Sequence, residues 1–243
     1  MKNDLFSIGP FTVHGYGLMI AIGVLSAYYM VEYRAKKKQM DWEKVFPLTV
    51  WSVLGGFLGS KILYLLTRLP DILANPALLG SSIKDGFVVY GGIIGGILTA
   101  WIYCKCTKWN FWKIFDIAMP AVAMAQGFGR IGCLLAGCCY GRELDPANPI
   151  GIVFHNSAYA PNDVALLPTQ IISSVLDFAN CFVLLALSKK LKTDGQVASC
   201  YLIFYSIGRF VLEYFRGDLI RGNVGEFSTS QFISLFICLI GLV

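Results

Sequence analysis

The sequence predicts an all-α polytopic membrane protein: seven transmembrane helices, N-terminus outside, C-terminus cytoplasmic, and a small extracytoplasmic cap. Three observations predict this. The first is composition: hydrophobic residues make up 56% of the 243 residues and charged residues only 14%. An ordinary globular chain has about 25% charged residues. Mean hydropathy is +0.62. So few charges cannot coat a water-facing surface, and the same figures exclude disorder, a collagen-like fibre and a coiled coil. The second observation is a set of seven windows of roughly the 20 apolar residues that a helix needs to span a bilayer. The third is the placement of lysine and arginine between those windows.

The first window, about 14–33, follows a start without a basic n-region, and no small-residue cleavage site comes after it. It therefore reads as a retained span and not a cleavable signal. The second, 45–66, contains Gly55-Gly56-Phe57-Leu58-Gly59, and the third, 87–106, carries Tyr90-Gly91-Gly92-Ile93-Ile94-Gly95-Gly96. Small residues in such runs either let helices pack closely or let backbone N–H groups approach an anion. The fourth window, 114–136, holds Asp116, Pro120, Gly127 and Gly129, which predicts a kinked or irregular helix. Residues 137–167 are polar, contain Pro146, Pro149 and Pro161, and form the expected cap. Windows 168–187, 198–216 and 228–243 complete the set, the last of them short. Their lengths favour helices, and no alternating ten-residue pattern suggests a barrel. No internal repeat supports an inverted-repeat transporter.

Basic residues set the orientation. Arg34, Lys36, Lys37, Lys38 and Lys44 follow the first window; Lys105, Lys108 and Lys113 follow the third; Lys189, Lys190 and Lys192 follow the fifth. The opposite face has Lys2, Arg68, Lys84, Arg142, Arg216 and Arg221, with no cluster. The positive-inside rule then places the first face in the cytoplasm.

Ionisable residues inside a span are costly and mark function by default. Arg130 lies near the outer end of the fourth window, in Gln126-Gly127-Phe128-Gly129-Arg130-Ile131-Gly132. In the sixth, Arg209, Glu213 and Arg216 are spaced four and three apart, which predicts one shared helical face. One reading is an ion pair holding helices together, with Arg216 snorkelling to the interface. The other is a cationic pocket for a lipid phosphate, since an arginine fork binds two oxygens at once. Glu213 would then orient an arginine or act as a base. Of the eight cysteines, Cys104, Cys181, Cys200 and Cys238 lie in or beside apolar runs and read as buried thiols. Cys133, Cys138 and Cys139 crowd into seven residues, but His14 and His155 are far away and unconnected by any motif, so no metal site is expected. A vicinal Cys138–Cys139 disulfide, a nucleophilic thiol activated by Arg130 or Arg142, and simple packing all stay open.

Taken together, these residues resemble the bacterial prolipoprotein diacylglyceryl transferases, nearly end to end. Gly9-Pro10 followed by His14-Gly15-Tyr16-Gly17 resembles the family's first-span motif, and Gly91-Gly92-Ile93-Ile94-Gly95-Gly96 its glycine-rich third-span motif. Gly129-Arg130-Ile131-Gly132 through Gly137 and Tyr140-Gly141-Arg142 is similar to the signature segment. Pro168-Thr169-Gln170, Arg209-Phe210 with Glu213 and Arg216, and Ser228 with Gln231 resemble the motifs of the last three spans.

The resemblance implies a membrane enzyme of the bacterial cytoplasmic membrane. Such an enzyme moves the diacylglyceryl group of phosphatidylglycerol onto the lipobox cysteine of a lipoprotein precursor and releases glycerol phosphate. Its partners would be phosphatidylglycerol, the precursor's signal peptide and membrane lipids, with no nucleic acid, no metal and no cofactor. Arg130 and Arg209 would hold the phosphodiester and steady the leaving group, Glu213 would pair with arginine, and Tyr16 would hydrogen-bond the head group. Gln170, Gly91, Gly92, Gly95, Gly96, Gly129, Cys133, Cys138, Gly141 and Arg216 would line the substrate site. The sequence departs from the family where the acceptor thiol must lose its proton. Tyr90 stands where the family usually has histidine, Cys133, Ala136 and Cys138 replace two asparagines and a glutamate, and Leu167 replaces a second histidine. The departures point to a divergent member with the same lipid donor and an altered acceptor half; Tyr90, Glu213 or a cysteine thiolate stand as candidates for the base.

Overall fold

The computed structural model describes residues 4–8, 11–84, 86–218, 222–225 and 227–242. Gly9-Pro10 of the first motif, and Lys2 and Arg221 of the basic count, lie outside the described residues. In chain order the elements are strands β1 (Asp4–Ile8) and β2 (Phe11–His14), helix α1 (Gly15–Lys37), α2 (Val45–Thr67), two short helices α3 (Leu69–Ala74) and α4 (Leu78–Lys84), α5 (Val89–Thr107) and α6 (Phe111–Ala136). Strands β3 (Ile152–Val153) and β4 (Ala165–Leu166), helices α7 (Thr169–Leu187) and α8 (Gln196–Glu213), strands β5 (Asn223–Val224) and β6 (Phe227–Ser228), and α9 (Thr229–Leu242) follow. The chain is mostly helical. Among the described residues, α1, α2 with the turn before it, α5, α6 and α7 are long and apolar enough to cross a membrane. Helix α9 has only 14 residues, and α8 carries Arg209 and Glu213 among its 18. The strands form three small antiparallel pairs, β1–β2, β3–β4 and β5–β6, which alternation in the sequence did not announce.

Two compact units divide the chain: Met1–Val31 with Phe115–Val243, and Glu32–Ile114. In the second unit α2 packs on α5 through glycine. A Cβ on Gly59 or on Gly91 would run into the other's carbonyl oxygen, and one on Gly95 into that of Gly55. The N–H groups of Gly91 and Gly92 both donate to the Val88 carbonyl. Gly91, Gly92 and Gly95 thus serve close helix packing, the first of the two readings of this run, while a Cβ on Gly96 would make only ordinary contacts with Ser52 and Gly56.

In the first unit, α7 buries Gln170, Ser174, Asp177, Cys181 and Leu184 at helical spacing, and it exposes Val175, Phe182 and Val183. Polar residues inside and apolar residues outside invert the pattern of a soluble helix. Met119, Ala123, Cys181, Leu184, Val197, Ala198 and Tyr201 form the core shared by α6, α7 and α8. Helix α6 is continuous through Pro120. Its buried Asp116 has a separate use: the two carboxylate oxygens accept the N–H groups of Gly195 and Ala198, both at 2.8 Å, and so cap α8.

Candidate functional site

Helix α8 delivers two ionisable residues to the interior of the first unit. Arg209 Nη1 lies 2.8 Å from Glu213 Oε2, one turn on, and Arg209 Nη2 donates to Ser230 Oγ at 2.9 Å. The arginine–glutamate contact is an ion pair without hydrogen-bond alignment, so the buried Oε2 keeps acceptor capacity. Ser228 Oγ donates to the other carboxylate oxygen at 3.1 Å. The same Oγ accepts the Gln231 N–H, while Gln231 Oε1 accepts the Ser228 N–H. Ser228-x-x-Gln231 is therefore a capping box that starts α9 and also fixes Glu213.

Arg216 does not share the helical face expected for it. Helix α8 ends at Glu213, and Arg216 enters an extended bridge opposite Gly141. The backbones of Tyr140, Arg142, Phe215 and Gly217 exchange two hydrogen bonds around this bridge, which fixes the Arg216 position. Its head is buried: Arg216 is 9% exposed and grips Asp218 with two hydrogen bonds of 2.7 and 2.6 Å. Burial works against its charge, but the hydrogen bonds to Asp218 and Cys139 hold its proton more tightly than in a free arginine. It still comes within 4.0 Å of Glu213.

Arg130 differs in kind. It projects from α6, and no hydrogen bond or ion pair involves it among the described residues. It lines a cavity with Ser173, Asp177 and Asn180 of α7 and Tyr205 and Arg209 of α8. Both arginines singled out in the sequence thus meet at one cavity. Asp177 is close enough to interact electrostatically with Arg130. Asn180 Oδ1 is buried without a hydrogen-bond partner among the described residues. Asp177 is a site residue beyond the cations singled out in the sequence, although a carboxylate eight residues into an apolar span carries the same signal as Arg130. Ser230, which holds Arg209, had no comparable mark.

The chain leaves α6 in a Schellman motif. Gly137 takes φ 73°, its N–H bonds to Leu134 O, and the Cys138 N–H bonds to Cys133 O, both at 3.1 Å. This motif folds the second residue past the helix back onto its last turn, so Cys138 returns to Cys133. Cys139, also at positive φ, completes a cluster whose three sulfurs lie within 4.8 Å of one another. Hydrogen bonds from Cys133 and Cys138, supported by Arg216, hold the Cys139 thiol well below its usual range. The turn is pinned from α7: Gln170 Nε2 donates to Cys138 O at 2.8 Å and Thr169 Oγ1 to Cys139 O at 2.9 Å. Gln170 Oε1 is buried without a partner among the described residues. Gly141 is needed for fit, since a Cβ there would press on the Leu167 carbonyl at 2.6 Å. Tyr16, at the start of α1, packs against Gly132 on the same part of α6. A Cβ at Gly129 would meet nothing within 4 Å. Tyr90 belongs to the second unit, where it is exposed.

The family model described as prolipoprotein diacylglyceryl transferase matches residues 3–243. The chain belongs to the prolipoprotein diacylglyceryl transferase family. Among its relatives, a phosphatidylglycerol–prolipoprotein diacylglyceryl transferase of Clostridium tetani (strain Massachusetts / E88) is 46% identical over 242 residues, covering 100% of this chain and 96% of the relative. A protein of Clostridium perfringens (strain 13 / Type A), named phosphatidylglycerol–prolipoprotein diacylglyceryl transferase 2, is 45% identical over 243 residues, covering 100% and 94%. One from Staphylococcus carnosus (strain TM300) is 31% identical over 244 residues, covering 98% and 86%. Membership is thus carried by the whole chain, including the Schellman turn and the capping box, and not by the arginines alone.

Proposed function

We propose that this chain transfers the diacylglyceryl group of phosphatidylglycerol to the lipobox cysteine thiol of a prolipoprotein and releases glycerol phosphate. The observation that carries the reading is the meeting of Arg130 and Arg209 at one cavity within the first unit, Arg130 without a hydrogen bond or ion pair among the described residues. A desolvated guanidinium whose N–H groups are not taken by side chains is suited to an anion, and a phosphodiester is the anion a membrane supplies. As the C–O bond breaks, charge grows on the phosphate, and prepositioned arginines at low dielectric stabilise that charge more than the ground state. Glu213 and Ser230 hold Arg209 in place. Gln170 Oε1 and Asn180 Oδ1, both unsatisfied acceptors, suit the glycerol hydroxyls. Tyr16 and Gly129 border the head group, and Gly141, Cys133, Cys138 and Arg216 shape the turn beside it. Tyr90, Glu213 and a cysteine thiolate stand as bases for the acceptor.

The reading includes the finer topology: one integral-membrane domain with seven spans in a bacterial cytoplasmic membrane, N-terminus outside, with 137–167 as an extracytoplasmic loop and no nucleic-acid partner. The test is to incubate the purified chain with phosphatidylglycerol and a lipobox peptide and to measure glycerol phosphate and the diacylglyceryl mass increment. Both should appear together. Glycerol phosphate released only with a non-peptide acceptor would overturn the prolipoprotein half. Neither product under any acceptor would overturn the transferase.

A further inference from the structure

The thiol cluster has a geometry that packing does not require. Cys133 and Cys138 meet because they are the fourth-last residue of α6 and the second residue beyond it, positions that a Schellman motif brings together, usually with two apolar side chains. Cys139 joins them only by taking φ 61°, a left-handed backbone that a non-glycine residue adopts at a cost. Two hydrogen bonds from α7 then lock the carbonyls of Cys138 and Cys139. The three sulfurs lie within 4.8 Å of one another. Around a tetrahedral zinc ion, Zn–S bonds of about 2.3 Å place sulfurs roughly 3.8 Å apart, so closure needs a shift of about 1 Å at most. Three thiolates on a dication leave one negative charge, and Arg216, hydrogen-bonded to Cys139, with Arg130 nearby, supplies the compensating field. Sulfur ligands with outer hydrogen bonds from cations are what a soft ion requires.

We propose that Cys133, Cys138 and Cys139 bind one thiophilic cation of the zinc class, leaving one coordination position for the thiol of the acceptor. The second half rests on the transfer reading above. Sites with three protein ligands keep the fourth position for water or substrate. An acceptor R–SH binds there as R–S⁻ and gives its proton to solvent. The thiolate sulfur then attacks the glyceryl carbon, a C–S bond forms, and the C–O bond breaks with its electron pair on the phosphate oxygen. The departing glycerol phosphate carries away the negative charge that the thiolate brought. The ion would thereby do the work of the histidine base that Tyr90 replaces.

The test uses the full chain in detergent with Cd²⁺, whose thiolate charge-transfer absorption reports sulfur ligation. One equivalent should bind, each of Cys133→Ser, Cys138→Ser and Cys139→Ser should abolish the band, and Cys106→Ser, at an exposed thiol outside the cluster, should leave it intact. Arg216→Gln should weaken binding by roughly 10–100-fold. Helical circular dichroism of each variant separates loss of ligation from loss of fold, and a variant that keeps its helicity and the full band overturns the site. A wild-type band absent under reducing conditions, or a chain two hydrogens lighter from a disulfide within the cluster, overturns it too. Adding a lipobox peptide should shift the band, and its Cys→Ser counterpart should not; no shift overturns the acceptor position while metal binding stands. One bound equivalent and a thiol-dependent shift without glycerol phosphate release would place the failure in the transferase reading instead.

Discussion

Arg130 and Arg209 line the same cavity but differ in their protein partners, and that difference predicts separable effects of removing them. Arg209 is paired with Glu213 at 2.8 Å and with Ser230 at 2.9 Å, and the two charged side chains are 12% and 9% exposed. Arg209→Gln strands a buried carboxylate, and breaking one side of such a pair costs about 3–5 kcal/mol. For a chain of this size that is a fall in the unfolding midpoint of roughly 10 °C. Arg130 makes no such hydrogen bond or ion pair among the described residues and meets the buried Asp177 only through a longer-range electrostatic interaction, so Arg130→Gln should lower the midpoint by less than Arg209→Gln does. On activity the two should converge, each lowering kcat by roughly 10²–10³, the usual effect of deleting one prepositioned donor to a developing oxyanion. The assay pairs thermal unfolding in detergent with glycerol phosphate release under the same conditions. Glu213→Gln in the Arg209→Gln background should recover part of the lost stability and none of the activity. Equal destabilisation by both arginine substitutions, or Arg130→Gln turnover within a factor of about three of wild type, would refute the reasoning.

The other predictions concern the frame. Gly59→Ala places a methyl against the Gly91 carbonyl and should destabilise by about 1–3 kcal/mol in thermal unfolding. Gly129→Ala, with open space around it, should stabilise by about 0.5–1 kcal/mol; a lower midpoint would show that the position is packed. Ser228→Ala removes the cap of α9 and a hydrogen bond to Glu213 and should cost about 1–2 kcal/mol, again read from the midpoint. Asp116→Ala leaves the N–H groups of Gly195 and Ala198 without their buried acceptor, at about 1–3 kcal/mol each, so α8 should lose amide-exchange protection from its first turn.

The helices were legible because lipid imposes a length and an apolar composition that no other use of the chain demands. Windows at 45–66, 87–106 and 168–187 agree with α2, α5 and α7 to within a few residues. The strand pairs were not legible, because elements as short as Ile152–Val153 show no alternation to count. Arg130 and Arg209 stood out for the same reason as the spans: a charge in an apolar run is rare. Asp177 carried that signal unread. The spacing of Arg209, Glu213 and Arg216 fitted one helical face, but α8 stops at Glu213 and Arg216 is held by pairing with the 140–142 segment, a long-range contact that spacing cannot report. The approach of Cys138 to Cys133 was latent in Cys133-Leu134-Leu135-Ala136-Gly137-Cys138. Once the helix is known to end just before Gly137, the Schellman geometry dictates it.

The inequality of the arginines also orders the proposed reaction. Arg216 is closed on Asp218 by two hydrogen bonds and has little left to offer an anion. Arg209 can approach a phosphate only by sharing itself with Glu213, whose Oε2 contacts it without an aligned hydrogen bond. Arg130, which makes no hydrogen bond or ion pair among the described residues, gives up none when an anion arrives. A ground-state phosphodiester, with one negative charge spread over two oxygens, should therefore settle on Arg130. As the C–O bond breaks, a second charge grows on the phosphate, and only then does drawing Arg209 away from Glu213 become favourable. An interaction that strengthens in the transition state lowers the barrier, whereas one made equally in the ground state only tightens binding. By this logic Arg130→Gln should raise KM as well as lower kcat, and Arg209→Gln should act on kcat with KM nearly unchanged. The reverse split, measured with phosphatidylglycerol as the varied substrate, would exchange the two roles.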